Sequence, residues 1–87
     1  MSRYNKLFSD ILSGRNDQSI RFTEIIHLLL AMGFNERIKE SHHIYYRHDI
    51  DDILNLQPKG SQAKAYQVRQ VRNIILKYRL EEPNEQL

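Results

Sequence analysis

The sequence predicts an α+β protein in which helices cover one face of a three-stranded antiparallel sheet. Apolar residues recur at helical spacing near both ends of the chain, whereas the middle is rich in residues that favour strands. The connections between the predicted strands are too short for crossovers, so neighbouring strands must be antiparallel. The expected order of elements is α-α-β-β-β-α.

Two helices are predicted before the strands. The first is expected near 4–12, and Ser13-Gly14 supplies its stop signal. After a polar loop, the second helix is expected over 22–32, where a broad apolar stripe predicts a central place in the core. Gly33 follows at the position that favours a left-handed residue.

Three short strands are predicted in the middle of the chain. They are expected over 34–39, 42–47 and 53–56, and Pro58 ends the third strand because proline cannot donate to a sheet. Residues 59–62 are then expected to form a loop.

The last helix is expected from about Lys64 to about Leu80, because Pro83 forbids its continuation. Residues 1–80 are predicted to form a single domain, and 81–87 a frayed acidic tail.

The composition bounds the class of protein. The chain has 87 residues and no cysteine, which excludes a disulfide scaffold and fits a cytoplasmic protein. No apolar run approaches the roughly 20 residues that a membrane helix needs. Because a short chain buries little surface, its stability is expected to be modest, which favours a partner or a homo-oligomer.

The basic residues are concentrated in one segment. Residues 53–80 contain no acidic residue and the following basic ones: Lys59, Lys64, Arg69, Arg72, Lys77 and Arg79. This segment predicts an anionic partner, with nucleic acid first. Arg69 and Arg72 are expected to contact phosphate, since no acid in the segment could pair with them. The alternative is a solvated helix face whose arginine stems cover the edge of the core.

The second predicted strand carries an unusual number of histidines. The stretch KESHHIYYRHD holds His42, His43 and His48. Alternate residues of a strand face opposite sides, which gives one set of His42, Ile44, Tyr46 and His48 and a second set of His43, Tyr45 and Arg47. We expect Ile44 and Tyr46 to be buried. The second set then faces solvent, where imidazole, phenol and guanidinium groups suit RNA phosphates and bases.

The histidines suggest proton transfer on RNA. A base takes the proton of a ribose 2′-OH, the oxygen attacks the adjacent phosphate, and an acid protonates the leaving 5′ oxygen. His42 or His43 would move the proton, and cations such as Arg47, Lys59 or Lys64 would stabilise the phosphate. The alternative interpretation is that the paired histidines are ordinary polar residues of a surface strand.

No metal or cofactor is expected in this chemistry. His42 and His48 lie on one predicted strand at a separation of about 20 Å, which is too far for a shared ion. The chain offers no cysteine ligand.

The run LLLAMGFNERIKESHHIYYRH, followed by ILNLQPKGSQAKAYQVRQVRNIILKY, resembles the HicA family of toxins. The resemblance covers about 22–80, so the first helix is extra to the short family members. It implies a fold similar to a double-stranded-RNA-binding domain, cleavage of translated mRNA, and neutralisation by a HicB-type antitoxin. It also implies a catalytic histidine at the Ser41-His42-His43 turn, where His42 occupies the usual catalytic position. Together with the charge pattern, it places RNA contacts at Ser41, Tyr45, Arg47, Lys59, Lys64, Arg69 and Arg72.

The resemblance has one departure, since Glu40 stands where the family turn usually has glycine. Its carboxylate would repel phosphate, which describes a weakened or inactive nuclease, or it would orient His42 as a working partner. Three hypotheses follow: a HicA-like ribonuclease toxin, a non-catalytic RNA-binding module of the same fold, and an interaction domain.

Overall fold

The computed structural model describes residues 4–83 and confirms the α+β class. Three helices accompany a three-stranded antiparallel sheet. The helices are α1 (Asn5–Ser13), α2 (Phe22–Ala31) and α3 (Ala65–Lys77). The strands are β1 (Asn35–Lys39), β2 (His42–Tyr46), β3 (Leu54–Leu56), β4 (Pro58–Lys59) and β5 (Gln62–Ala63).

The first two helices end where the sequence predicted. Gly14 follows α1 with φ 73°, and its N–H donates to the carbonyl of Asp10. Gly33 follows α2 with φ 90°. Both residues take the left-handed conformation that glycine adopts without steric cost, and the helices end one residue before Gly14 and two residues before Gly33.

The main sheet has the order β1-β2-β3, with β2 in the centre. Tyr45 of β2 lies between Glu36 of β1 and Leu54 of β3. His43 lies in the next row of the same face, opposite Leu56. Because paired residues share a face of the sheet, the leucines of β3 mark this face as the one that packs against the helices.

The predicted orientation of β2 was wrong. Tyr45 was expected to face solvent but is fully buried, and His43 packs edge-on against Phe22 of α2, with ring centroids 5.1 Å apart. Ile44 and Tyr46, which were expected to be buried, lie on the opposite face with His42. The reason is the register with β3. Tyr45 and His43 are paired with Leu54 and Leu56, which are buried, and therefore lie on the face that packs against the core.

One hydrophobic core joins the helices and the sheet. The fully buried apolar side chains are Ile11, Ile25, Leu28, Leu29, Tyr45, Leu56, Val68 and Val71. The apolar stripes predicted for the helices account for most of this set. None of the three helices described here is long and apolar enough to cross a membrane.

The loop predicted over 59–62 is instead the turn of a small hairpin, β4–β5. This hairpin is tied to the start of α2. The N–H of Ala63 donates to the carbonyl of Ile20 at 2.9 Å, and the N–H of Phe22 donates to the carbonyl of Ser61 at 3.1 Å. Since α3 begins two residues after β5, the hairpin joins the starts of both helices that flank the sheet.

The chain after α3 returns to the core. Leu80 is partly buried against it, and Pro83 is buried. The remaining residues of the tail, 84–87, lie outside the described part of the chain, so the fraying expected there stays a prediction.

Candidate functional site

The candidate site lies at the turn between β1 and β2. Lys39 and His42 are paired across this turn, and Glu40 and Ser41 form its tip. His42 is half-buried and belongs to the sheet face turned away from the helices. It lines a shallow groove of about 310 Å³ with Lys39, Glu40, Ile44 and Asn55.

Both nitrogens of the His42 ring have polar neighbours. Nδ1 lies 3.0 Å from Oδ1 of Asn55, an acceptor, so Nδ1 must carry the proton of a neutral ring. Nε2 then holds a lone pair, and Nε2 of Gln57 lies 3.4 Å from it as a donor. The same Gln57 amide donates to Oγ of Ser41 at 3.1 Å. Both ring contacts fit one tautomer, in which Nδ1 of His42 carries the proton and Nε2 accepts from the Gln57 amide.

The backbone of Gln57 is hydrogen-bonded by the side chain of Gln67, which comes from α3 on the core side of the sheet. The Gln67 side chain is only 1% exposed, although glutamine is rarely buried. In the amide orientation that satisfies both neighbours, it donates to the carbonyl of Gln57 and accepts from the N–H of Gln57, each at 2.9 Å. The buried amide thus replaces a strand neighbour for Gln57.

Sequence reasoning missed Asn55 and Gln57. A signal was present, because the run Leu54–Gln57 alternates apolar and polar residues. Since Leu54 and Leu56 face the core, Asn55 had to face the same side as His42. Gln67 gave no comparable signal, since it looks like any polar residue of a helix.

Glu40 takes a conformation that favours glycine. Its φ is 57°, in the left-handed region, and its side chain is exposed at the rim of the groove. The backbone at this turn therefore has the geometry for which a glycine is best suited, while the sequence supplies a carboxylate close to His42.

His43 and Tyr45 are not part of this groove. Nδ1 of His43 is buried and has no hydrogen-bond partner among residues 4–83. The Tyr45 hydroxyl donates to Oε2 of Glu36 at 2.6 Å. Burial, with the nearby Glu36 carboxylate, holds the pKa of Tyr45 well above its ordinary value. Tyr45 therefore serves the core, which corrects its expected role as an exposed RNA contact.

Arg47 is occupied by the protein itself. Its Nε and Nη2 donate to the two carboxylate oxygens of Asp49 at 3.0 and 2.7 Å, and Nη1 donates to the carbonyl of Met32 at 3.0 Å. The guanidinium also lies over the ring of Phe34, 5.5 Å from its centroid. The Arg47 pair lowers the pKa of Asp49. Arg47 closes the loop after β2 instead of facing solvent as expected.

Arg72 is also occupied, by an acid from outside its own segment, which corrects the expectation that it contacts phosphate. Its Nη1 and Nη2 donate to the Asp17 carboxylate at 3.0 and 3.2 Å, and Nη1 also donates to the carbonyl of Ile11 at 3.0 Å. The partner acid comes from the loop after α1, far away in the sequence. Arg69, one turn earlier on α3, is exposed, as is Lys59, while Lys64 is half-buried at the start of α3.

The sheet presents a polar and basic surface on the side away from the helices. We call it the open face, and its members are Asn35, Arg37, Lys39, His42, Ile44, Tyr46 and Asn55. Arg37 and Lys39 are exposed and form no ion pair within the described residues. Imidazole, phenol and guanidinium groups lie on this outer face, supplied by His42, Tyr46 and Arg37 in place of the residues expected there.

The residues between 4 and 83 contain no group of three or more histidine, aspartate or glutamate side chains placed to hold a metal ion. His48 lies beyond the end of β2 and is exposed.

Comparison of the chain with protein-family models, with curated proteins and with solved structures found no match. Fold and site together define an α+β domain with a histidine at a hairpin turn, open to a groove on the outer side of the sheet.

Proposed function

We propose that this protein is a HicA-like toxin of a type II toxin–antitoxin pair, a cytoplasmic, metal-independent endoribonuclease that cleaves mRNA with His42 as its proton-transfer residue. The observation that supports this most is the tautomer of the His42 ring and its position at the groove. Asn55 holds Nδ1, Nε2 is left as the acceptor of the ring, and His42 lines an open groove. The resemblance to the HicA family, which rests on the sequence, supplies the RNA substrate and a HicB-type antitoxin as partner.

The groove supplies the base and a cation for this chemistry, and solvent water supplies the proton for the leaving oxygen. Nε2 of His42 accepts the proton of a ribose 2′-OH, whose oxygen attacks the adjacent phosphorus. The bond from phosphorus to the 5′ oxygen breaks, which leaves a 2′,3′-cyclic phosphate and, after protonation by an acid, a 5′-OH. Asn55 stabilises the imidazolium through the Nδ1–H, and the Lys39 ammonium stabilises charge on the phosphate.

Gln57 must move for this step to occur. Its amide now donates toward Nε2 of His42 and to Oγ of Ser41, which is the place that a 2′-OH donor would take. The substrate hydroxyl therefore displaces the Gln57 amide from Nε2 of His42 and donates its single proton to that nitrogen.

A second candidate function is supported by Glu40. Its carboxylate lines the groove of His42, where it opposes a phosphate. A non-catalytic RNA-binding module of the same fold would tolerate this charge better than a nuclease would. An interaction domain that binds no RNA is the third hypothesis.

Substitution of His42 tests the proposal. His42→Ala should lower RNA cleavage in vitro by about 10²–10⁴-fold and abolish growth arrest on induced expression. Folding should be retained, because His42 is only half-buried, whereas Leu29→Ala should cost about 2–5 kcal/mol. His48→Ala is the matched control, since His48 is exposed and outside the groove.

Cleavage should survive excess EDTA. Loss of activity with EDTA that a divalent ion restores would overturn the metal-free chemistry and the HicA-like assignment together. If the wild-type protein binds RNA but cleaves neither free nor translated mRNA, the binding module replaces the nuclease.

A further inference from the structure

The open face has an ordered arrangement of charge and apolar surface. The register sets Asn35 beside Tyr46, Arg37 beside Ile44, and Lys39 beside His42. The cations therefore lie along the edge strand β1, and the aromatic and aliphatic side chains lie along the central strand β2. Neighbouring members of each row are two residues apart, or about 7 Å.

The charges of this face are available to a ligand. Elsewhere in the described chain, Arg47, Arg72 and Lys77 are paired with aspartates. Glu36, the acid on β1, points to the other face, where it accepts from Tyr45. Glu40 is the acid that lines the groove at one end of the row. Arg37 and Lys39 therefore leave the face with a positive balance.

The apolar part of the face is also exposed to a ligand. Ile44 and Tyr46 are only half-buried, although both are large apolar side chains in the middle of a sheet. Within residues 4–83, α2 and α3 pack in the core with Tyr45, on the other face of the sheet. A phenol ring and an aliphatic side chain beside a row of cations form a surface on which nucleic-acid bases stack while their phosphates pair with the cations.

We propose that the open face binds unpaired RNA, with bases stacked on Tyr46 and Ile44 and the backbone along Arg37 and Lys39. An RNA strand bound along Arg37 and Lys39 continues into the groove of His42, since Lys39 and His42 are neighbours across the turn. This rests on the proposed function only in that RNA is the ligand. A duplex keeps its bases stacked internally and cannot place them on Tyr46, so the face selects single strands.

The test is a binding experiment in a His42→Ala background, which prevents cleavage. The ligand is a fluorescently labelled single-stranded RNA of about 12 nucleotides, and the same sequence as a duplex is the comparison. Tyr46→Leu should weaken binding by at least about fivefold, because one stacked base is worth about 1–3 kcal/mol. Tyr46→Phe keeps the ring and should bind nearly as the parent does. Tyr66→Leu is the matched control, since Tyr66 is 48% exposed on α3.

The cations have their own measurement. The affinity for RNA falls as salt is added. Arg37→Ala and Lys39→Ala should each make the slope of log affinity against log salt shallower, by about 0.7. Arg15→Ala, an exposed arginine of the loop after α1, is the control and should leave the slope unchanged.

Three results of the binding experiments would overturn the inference. They are equal affinity for the duplex, binding that ignores Tyr46 and Arg37 but falls with Arg69→Ala, and capture of an acidic peptide such as polyglutamate with no binding of RNA. The proposed nuclease is tested separately with His42 intact. Binding on the open face without cleavage would refute only the nuclease, and cleavage unaffected by the open-face variants would refute only this inference.

Discussion

Gln67 and Gln57 are joined by two hydrogen bonds of 2.9 Å that connect the amide of a buried side chain to the backbone of a strand end. Gln57 lies just after β3, and its own side chain reaches Ser41 and His42. The position of the candidate site therefore depends on a residue of α3 that is on the far side of the sheet from the groove.

Gln67→Leu should lower the free energy of unfolding by about 1–3 kcal/mol. The substitution leaves the N–H and carbonyl of Gln57 without their partner beside a position that is only 1% exposed. Urea titration measures the loss, and exchange of the Gln57 amide hydrogen should become faster. Gln70→Leu is the matched control, because Gln70 is an exposed glutamine of the same helix and should change stability by less than about 0.5 kcal/mol. Equal effects of the two variants would show that the Gln67 amide contributes nothing specific.

Glu40→Gly should stabilise the protein by up to about 1 kcal/mol. The left-handed backbone costs a residue with a side chain about 1–2 kcal/mol, and part of the gain is lost to the greater freedom of glycine in the unfolded chain. Lys39→Gly, in extended backbone next to it, should instead be destabilising. Cleavage by Glu40→Gly gives a second result. An increase identifies the carboxylate as a damper of activity, and a decrease identifies it as a partner of His42.

Tyr45→Phe should change how stability depends on alkaline pH. Burial and Glu36 raise the pKa of Tyr45 in the folded protein. A group with a raised folded pKa contributes stability that is fully present below its unfolded pKa, about 10 for tyrosine, and that is lost as the pH rises further. The free energy of unfolding of the wild-type protein should therefore fall more steeply above about pH 10 than that of Tyr45→Phe. Tyr66→Phe, at an exposed tyrosine, should follow the wild type. If the free energy of unfolding of Tyr45→Phe falls above about pH 10 as steeply as that of the wild type, the tyrosine is not buried in solution.

Arg72→Ala should cost about 3 kcal/mol of stability. Only 17% of the Arg72 side chain and 15% of Asp17 are exposed, so removal of the guanidinium leaves a largely buried carboxylate without its partner. Arg69→Ala, at an exposed position of the same helix, should stay within about 0.5 kcal/mol of the wild type. Thermal and urea unfolding of the two variants measure the loss of stability. A larger loss for Arg72→Ala than for Arg69→Ala identifies Arg72 as structural and Arg69 as a surface residue. Similar stabilities would place Arg72 on the surface with Arg69.

The helices were predictable because their apolar spacing repeats over several turns and because glycines mark two of their ends. The orientation of β2 was not, since Ile44 and Tyr46 are as apolar as Tyr45. What decides between the two faces is the pairing with Leu54 and Leu56, and that register becomes visible only when the strands are assembled.

The location of the candidate site at the turn was predictable, but the residues around it were not. His42 lies at the turn where the sequence placed it, but its neighbours Asn55 and Gln57 come from a strand that is distant along the chain. The pairing of Arg72 with Asp17 has the same character, because a search for acids within 53–80 could not find a partner from another loop.

The hairpin β4–β5 has a consequence for the order in which the chain folds during synthesis. β1 and β2 are joined by a two-residue turn and can pair as soon as they leave the ribosome. The start of α2 waits longer, because Ile20 and Phe22 are hydrogen-bonded to Ala63 and Ser61, which are made 43 and 39 residues later. Until then the first turn of α2 lacks both hydrogen bonds to the hairpin, so in nascent chains that end before residue 61 the start of this helix is less firmly held.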